Sequence, residues 1–447
     1  MGADWLQGPY LYSLYHDEHG ISPGLISTLF TTGFLSGGVT ATFTGRAADR
    51  FGRKAACLFF CAAYALSCLL TTVPAPPSLF SPAPDQQPGR GRGGAAHLAL
   101  LFTGRVLGGL ATSLLFSVFE SWMLADFRRR QQGRQIAKEE SEKELSRIFG
   151  TMGTLNSVVA IASGVVSEWL VSATGTRKAP FLASVVLLGA AAVVISASWA
   201  QNYGQGSADQ GRAAPGRGQT QAVPGDKASP ASHQSGSILA NPRVLCLGLA
   251  STMFEGSMYL FVFFWPPALR SAAAASRPAA AHAPGGELPY GTIFASFMAA
   301  TLASSLAFNV VMERRLVRYS TLLALILGGS ALCFFLLAAP AKATTGAGAF
   351  EAGARSEQTT FWLFCAFEAL VGMYFPCMGF LKGQLVGEAI RARVYGFLRI
   401  PLNGFVVLAL LVTGDGAAHD AVFGTCARLL LASSAALFAM SLLRHTP

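Results

Sequence analysis

The sequence predicts an all-α integral membrane protein, and three observations carry that expectation. Its 447 residues are 52% hydrophobic and only 13% charged, against about 25% charged residues in soluble domains. Apolar stretches of bilayer-crossing length recur from end to end, and the basic residues cluster in alternate connections between them. A formal charge of +10 in a soluble chain would point to nucleic acid. Here it reads as a topology signal, and no nucleic-acid partner is expected.

A spanning helix needs about 20 apolar residues. The first apolar segment, 3–15, is shorter than that, so the first helix is expected to be incomplete. The opening MGADWLQGPY has no basic region followed by an apolar one, so it does not read as a cleavable signal peptide. Further segments lie near 24–44, 55–73, 97–124, 147–171, 179–199, 243–268, 289–312, 320–340, 360–381, 394–413 and 419–443, making about twelve with the first. Four stretches rich in Ala, Gly, Pro and Ser read as flexible loops: 74–96, 200–237, 271–287 and 341–358. The second of these divides the chain into an N-terminal six-helix half (1–199), a flexible cytoplasmic linker (200–240) and a C-terminal six-helix half (241–447).

Orientation follows from Lys and Arg. One set of alternate connections holds Arg46, Arg50, Arg53, Lys54, the 128–147 stretch, the linker, Arg314, Arg315, Arg318, Lys382, Arg391 and Arg393, most of the 33 basic residues. The positive-inside rule makes that side cytoplasmic. Trp169, Trp199, Trp265 and Trp362 fall at the ends of predicted segments, where interfacial aromatics belong, whereas Trp5 and Trp122 each lie near an acid. The stretch 128–147 mixes charges of both signs and reads as a solvated helix on the membrane face. The eight cysteines all lie in apolar segments without a CxxC pair, so they read as small buried hydrophobes; neither a metal site nor a cofactor is expected.

Between the second and third segments runs GRAADRFGRK, from Gly45 to Lys54. Gly45 and Gly52 permit close approach and tight turning. Asp49 can meet a helix N-terminus or an arginine, and Arg50, Arg53 and Lys54 hold the loop on the cytoplasmic side. The run resembles the cytoplasmic signature G-x-x-x-D-R-x-G-R-K of the major facilitator superfamily. That resemblance implies a fold of two six-helix halves and a latch between them that breaks as the transporter changes state.

Charged residues inside apolar segments are expensive and so are functional candidates. Arg105 lies in GRVLGG (104–109) of the fourth segment and Arg399 in FLRIPLN (397–403) of the eleventh, with Asn403 one turn beyond it. Glu120, Glu255 and Glu368 each follow a phenylalanine, in the fourth, seventh and tenth segments, and Asp4 sits comparably in the first. The spacing of three helices matches the repeats from which such transporters are built, and in the superfamily these helices line the central cavity. Asn156, Gln7 and Tyr10 are lesser polar candidates. Arg105 and Glu120, 15 residues apart in one segment, would lie roughly 22 Å apart and cannot pair.

The runs DWLQGPYLYSLY (4–15), GRVLGGLATSLLFSVFESW (104–122), FEGSMYLFVFFWPPAL (254–269) and FLRIPLN (397–403) resemble the molybdate-anion transporter family of that superfamily. The resemblance implies molybdate uptake across the plasma membrane. Family members carry more chain before DWLQGPY, and the second-half counterpart of the latch, Glu313 to Leu316, is degenerate here. A tetrahedral dianion needs donors such as Arg, amides or hydroxyls. The buried acids then either pair with the arginines, or carry protons that couple uptake to the proton gradient, or bond helices together. Tungstate and sulfate would be the natural competitors. Two other functions remain open from the residues: a transporter-like nutrient sensor or scaffold, and a carrier of organic cations or sugars whose acids bind substrate directly. No nucleophile–base pair or phosphate loop suggests an enzyme.

Overall fold

The computed structural model describes residues 1–74, 92–132, 138–204, 242–276, 288–338, 356–385, 401–412 and 419–442. It is helical throughout, with no strand among the described residues. Helix α1 starts at Gly2–Gln7 and continues through 3-10, α and π turns to Glu18. There follow α2 (Pro23–Phe51), α3 (Arg53–Thr72), α4 in two arms (Arg92–Leu115 and Val118–Gln132), α5 (Lys138–Thr174) and α6 (Ala179–Ser198). The second half holds α7 (Pro242–Ser276), α8 (Tyr290–Glu313), α9 (Tyr319–Leu337), α10 (Glu357–Leu385), α11 (Pro401–Val412) and α12 (His419–Leu442).

Nine stretches among the described residues are long and apolar enough to cross a membrane. Helices α1, α2 and α11 are not among them. In α2 the length suffices, and its Gly and Thr content dilutes the hydropathy. Large side chains such as Val186, Val193, Leu332 and Phe335 are exposed on the outside of the bundle, as lipid-facing surfaces require.

Several helices outrun the apolar segments that announce them. Helix α7 carries on through the alanine-rich 272–276, a run of good helix formers. This moves Trp265 from a helix end to its interior, where it is buried against Tyr290 and Phe297 instead of lying at the interface. Trp199 also has an internal role, stacking 3.7 Å from Trp122. Trp169 and Trp362 are 65% and 61% exposed. Helix α4 is broken at Phe116 and Ser117, although its sequence reads as one segment. Thr112, Ser117 and Ser121 each donate a hydroxyl hydrogen bond to the carbonyl four residues back, and such back-bonding bends helices.

Helices α1 and α3 pack on α6, α2 and α3 on α4, α8 and α9 on α10, and α9 on α12. The two halves meet along α5 and α8, and along α2 and α11. At the α5–α8 crossing, a Cβ on Gly164 would lie 2.7 Å from the Gly291 carbonyl oxygen. Between α2 and α11, Ser27 Oγ donates to the Leu410 carbonyl at 2.5 Å.

Candidate functional site

Arg105 sits in the first arm of α4, where α4 crosses α2 at backbone contact. A Cβ on Gly109 would come 2.3 Å from the Gly33 carbonyl, so side chains are excluded from the crossing. Gly33 also makes room for the guanidinium: a Cβ there would lie 2.7 Å from Arg105 Nη2. The half-buried Arg105 donates from Nε to the Leu29 carbonyl at 3.4 Å and lies 5.0 Å from the Phe30 ring centroid. A cation over an aromatic face gains about 0.5–2 kcal/mol. No carboxylate forms an ion pair with Arg105 among the described residues. Phe30 in turn packs edge-on against Phe263 of the second half, and Phe34 against Tyr259. The arginine therefore stands where the halves meet.

The four acids occupy four different environments. Asp4 accepts a hydrogen bond from the Tyr64 hydroxyl of α3. Glu120, just past the break in α4, is exposed, with no hydrogen bond or ion pair among the described residues. Glu255 of α7 accepts from Ser251 Oγ at 2.6 Å and from the Tyr374 hydroxyl at 3.0 Å, and its Oε1 lies 3.4 Å from Lys382 Nζ. Lys382 also donates to Ser251 Oγ at 2.7 Å. Glu368 is buried between α10 and α8, where Thr301 Oγ1 donates to its Oε2 at 3.0 Å and to its backbone carbonyl at 3.2 Å.

Lys382 was counted in sequence as a cytoplasmic loop cation. It lies in the last turn of α10, where side chains point back toward the helix N-terminus, and its long stem carries the ammonium inward to Glu255.

The lesser candidates mostly serve other contacts. Asn156 Oδ1 accepts from the Trp5 indole at 3.0 Å. The buried Gln7 donates to Ala3 O and accepts from Cys68 Sγ at 3.7 Å. The Asn403 amide faces Gly38 of α2, where a Cβ would lie 3.2 Å from Nδ2. Arg399 lies outside the described residues.

Tyr10 belongs to a closed end, opposite the basic loops. Its hydroxyl donates to Glu168 Oε2 at 2.6 Å, and the same oxygen accepts from the Gly291 backbone N–H at 2.9 Å. Glu168 of α5 thus sits on the N-terminus of α8 in the other half, where the helix dipole favours an anion. Beyond it, Arg270 of α7 grips Asp17 with two hydrogen bonds, at 2.8 and 2.5 Å, and Arg177 approaches the same carboxylate at 3.3 Å. Burial opposes ionisation of Asp17, but hydrogen bonds from Arg270 and His16 outweigh it and hold the carboxyl below its usual range. Tyr12 packs edge-on against Phe263. Glu168, Asp17 and Arg270 have no motif around them in the sequence. Their only signal is charge at the margin of an apolar segment.

At the basic end, Gly52 has a φ of +104°, which turns the chain from α2 into α3 and suits glycine. Asp49 binds Arg53 at 2.8 Å, and its backbone carbonyl accepts from Gly204 N. Arg53 Nη1 donates to the Ser121 carbonyl at 3.1 Å, Lys54 Nζ donates to the Ser196 carbonyl at 2.8 Å, and Arg50 lies over Phe51. Gly45 has open space around it. These contacts lie within the first half, apart from that of Asp49 to Gly204 at the start of the linker. The cross-half contacts described above run from the closed end inward to Gly38 and Asn403, whereas Val39, Phe43, Met152 and Leu155 toward the basic end are exposed.

Two six-helix halves, with charged groups held among their helices and a basic glycine turn between α2 and α3, define a membrane transporter of the major facilitator class. A family model described as twelve-span sugar transporters matches residues 1–80 and 94–349, and the chain belongs to that family. The molybdate-anion transporters of Takifugu rubripes and Danio rerio are 29% and 28% identical to it, each aligned over 98% of this chain and 84% of the relative. That of Xenopus tropicalis is 29% identical over 96% of this chain and 81% of the relative. Among solved structures, a peptide transporter in complex with sulfate superposes with a TM-score of 0.64 at 13% identity, covering 98% of this chain and 91% of that one. The nucleoside transporter NupG does so with a TM-score of 0.59 at 14% identity, covering 98% of both chains. These structural likenesses establish the fold.

Proposed function

We propose that the chain carries molybdate across the plasma membrane and that Arg105 is the group that meets the oxyanion. One observation carries the assignment of the residue: a cation inside the helical bundle, at the junction of the halves, with no carboxylate in an ion pair with it among the described residues. A guanidinium offers several N–H donors and no acceptor, and a tetrahedral dianion needs donors. The substrate itself rests on the names of the vertebrate relatives.

The two halves rock about the α5–α8 and α2–α11 crossings to give alternating access. With the basic end on the cytoplasmic side, the contacts described here correspond to a carrier closed to the exterior. Proton coupling enters through Glu368, a buried carboxyl whose side-chain partner is a threonine hydroxyl. A buried carboxyl with a hydroxyl and no cation beside it among the described residues can take up and release a proton between states.

The test is uptake of labelled molybdate by cells expressing the chain, with unlabelled competitors. Tungstate or sulfate should compete, while sugars and amines should not. Competition by sugars or amines without any by the oxyanions would contradict the proposal, as would the absence of any uptake above control cells.

A further inference from the structure

Past Ser198 the chain leaves α6 and runs back over the basic end of its own half. Helix α3 begins at Arg53, and its N-cap, Gly52, has no side chain to bond the free N–H groups of the first turn. The 199–204 stretch supplies what is missing. The Asn202 carbonyl accepts from Arg53 N at 2.9 Å, and Gln201 Oε1 accepts from Lys54 N at 2.9 Å. Two glycines let the stretch seat. A Cβ on Gly52 would collide with the Gln201 amide, and one on Gly204 would lie 2.6 Å from Asp49 Cβ.

The same stretch holds the second arm of α4. The Trp122 indole donates to the Ala200 carbonyl at 2.9 Å and stacks on Trp199, and Asn202 Nδ2 donates to the Trp122 carbonyl at 3.2 Å. One piece of chain therefore joins the α2–α3 turn to the arm that begins at Val118. The arm is weakly bonded at its root. Phe116 N and Ser117 N reach the carbonyls of Thr112 and Leu114 at 3.3 Å, and Ser121 N reaches that of Ser117 at 3.3 Å, longer than the usual distance of about 2.9–3.0 Å. Hinges are a few residues at element ends that absorb a change of backbone angles, and Phe116 and Ser117 fit that description.

We propose that the 199–204 stretch is a clasp that holds the second arm of α4 against the α2–α3 turn, and that the arm swings about Phe116 and Ser117 when the clasp lets go. The arm carries the exposed Glu120 and runs out through Arg128, Arg129 and Arg130 at the basic end, so the swing changes access to the mouth on that side. The clasp also opens the linker, which couples the arm to the chain that joins the halves.

The experiment uses the full chain in lipid nanodiscs, with spin labels at Arg128→Cys on the arm and at Ala62→Cys, an exposed position of α3. The lever from Ser117 to Arg128 is about 16 Å long, so a swing of about 20° moves the label by about 5–6 Å. Trp122→Phe combined with Gln201→Ala removes two of the clasp's bonds and should shift or broaden the distribution by that amount. Gly204→Ala, which drives a methyl into Asp49, should do the same by a separate route, and it decides alone where the double variant does not fold. Tyr203→Ala, at an exposed position of the same stretch, should leave the distribution as it is. A second pair, Thr103→Cys on the first arm with Ala62→Cys, should not move in any variant, which places the hinge at the break. An unchanged Arg128–Ala62 distribution in either folded clasp variant overturns the proposal. So does an equal shift in the Thr103–Ala62 pair, since α4 would then move as one rod.

Discussion

Gly291→Ala should loosen the closed end, and the structure gives the size of the effect. A Cβ on Gly291 would lie 2.4 Å from the Gly164 carbonyl oxygen, 2.8 Å from the Glu168 amide nitrogen and 2.8 Å from Ser167 Oγ, where ordinary contact begins at 3.4 Å. Two of those atoms are backbone, so the clash cannot be relieved by turning a side chain. Helices α5 and α8 must separate by about 1 Å, the misfit of an overpacked core, which costs about 1–3 kcal/mol. The same movement stretches the 2.9 Å hydrogen bond from Gly291 N to Glu168, and a hydrogen bond to a charged group contributes about 1.5–3 kcal/mol. A tenfold change in an equilibrium corresponds to about 1.4 kcal/mol, so the overpacking alone should move the balance between closed and open by a factor of about five to 150, and loss of the hydrogen bond would add to it. The assay is the spin-label distance between Ser22→Cys, at the N-cap of α2, and Ser271→Cys on α7. In Gly291→Ala the distribution should move to longer distances. Gly189→Ala, at a glycine with open space around it, is the control and should leave the distribution alone. An unchanged distribution in Gly291→Ala would refute the claim that backbone contact at this crossing holds the end shut.

Three further outcomes are expected. Asp17→Arg or Arg270→Asp alone should open the same end, measured with the same label pair, and the charge-swapped double variant should restore part of the closed population, because the contact is a bidentate ion pair but Arg177 opposes an arginine at position 17. Lys382→Met leaves the half-buried Glu255 without its cation and should cost about 1.5–3 kcal/mol of stability. Combining it with Glu255→Gln should recover most of that loss in thermal unfolding, and additive losses in the double variant would show that the two groups do not interact. Glu368→Gln should leave molybdate exchange across the membrane intact while abolishing its acceleration by an inward proton gradient. Retained acceleration would remove Glu368 from the coupling.

The bundle was legible in the sequence because a bilayer imposes length on every apolar run, and the α2–α3 turn was legible because Gly52 and its basic neighbours form a contiguous pattern. Arg105 stood out for a similar reason: a cation among glycines in an apolar run has few structural explanations. Partnerships were harder to read. Tyr10 meets Glu168 across 158 positions, and Asp17 meets Arg270 across 253, distances over which neither periodicity nor spacing carries information. The partnership of Lys382 was not legible because charge counting places a residue by its position in the chain and says nothing of where its long side chain reaches. The break in α4 escaped notice because hydropathy averages over serines, although Ser117 and Ser121 act on the backbone hydrogen bonds there. The recurring Phe-Glu pairs mark related helices but not a shared environment: Glu255 is tied to a lysine, Glu368 to a threonine, and Glu120 is exposed.

The central claim, that Arg105 meets the oxyanion, is tested most directly by molybdate uptake into proteoliposomes holding equal amounts of folded protein. Arg105→Ala should abolish uptake and Arg105→Lys should retain a fraction, since an ammonium keeps the charge and loses the planar fork of donors. Thermal unfolding should stay close to that of the unmodified chain, because no ion pair is broken among the described residues. Uptake by Arg105→Ala at the unmodified rate would contradict the account.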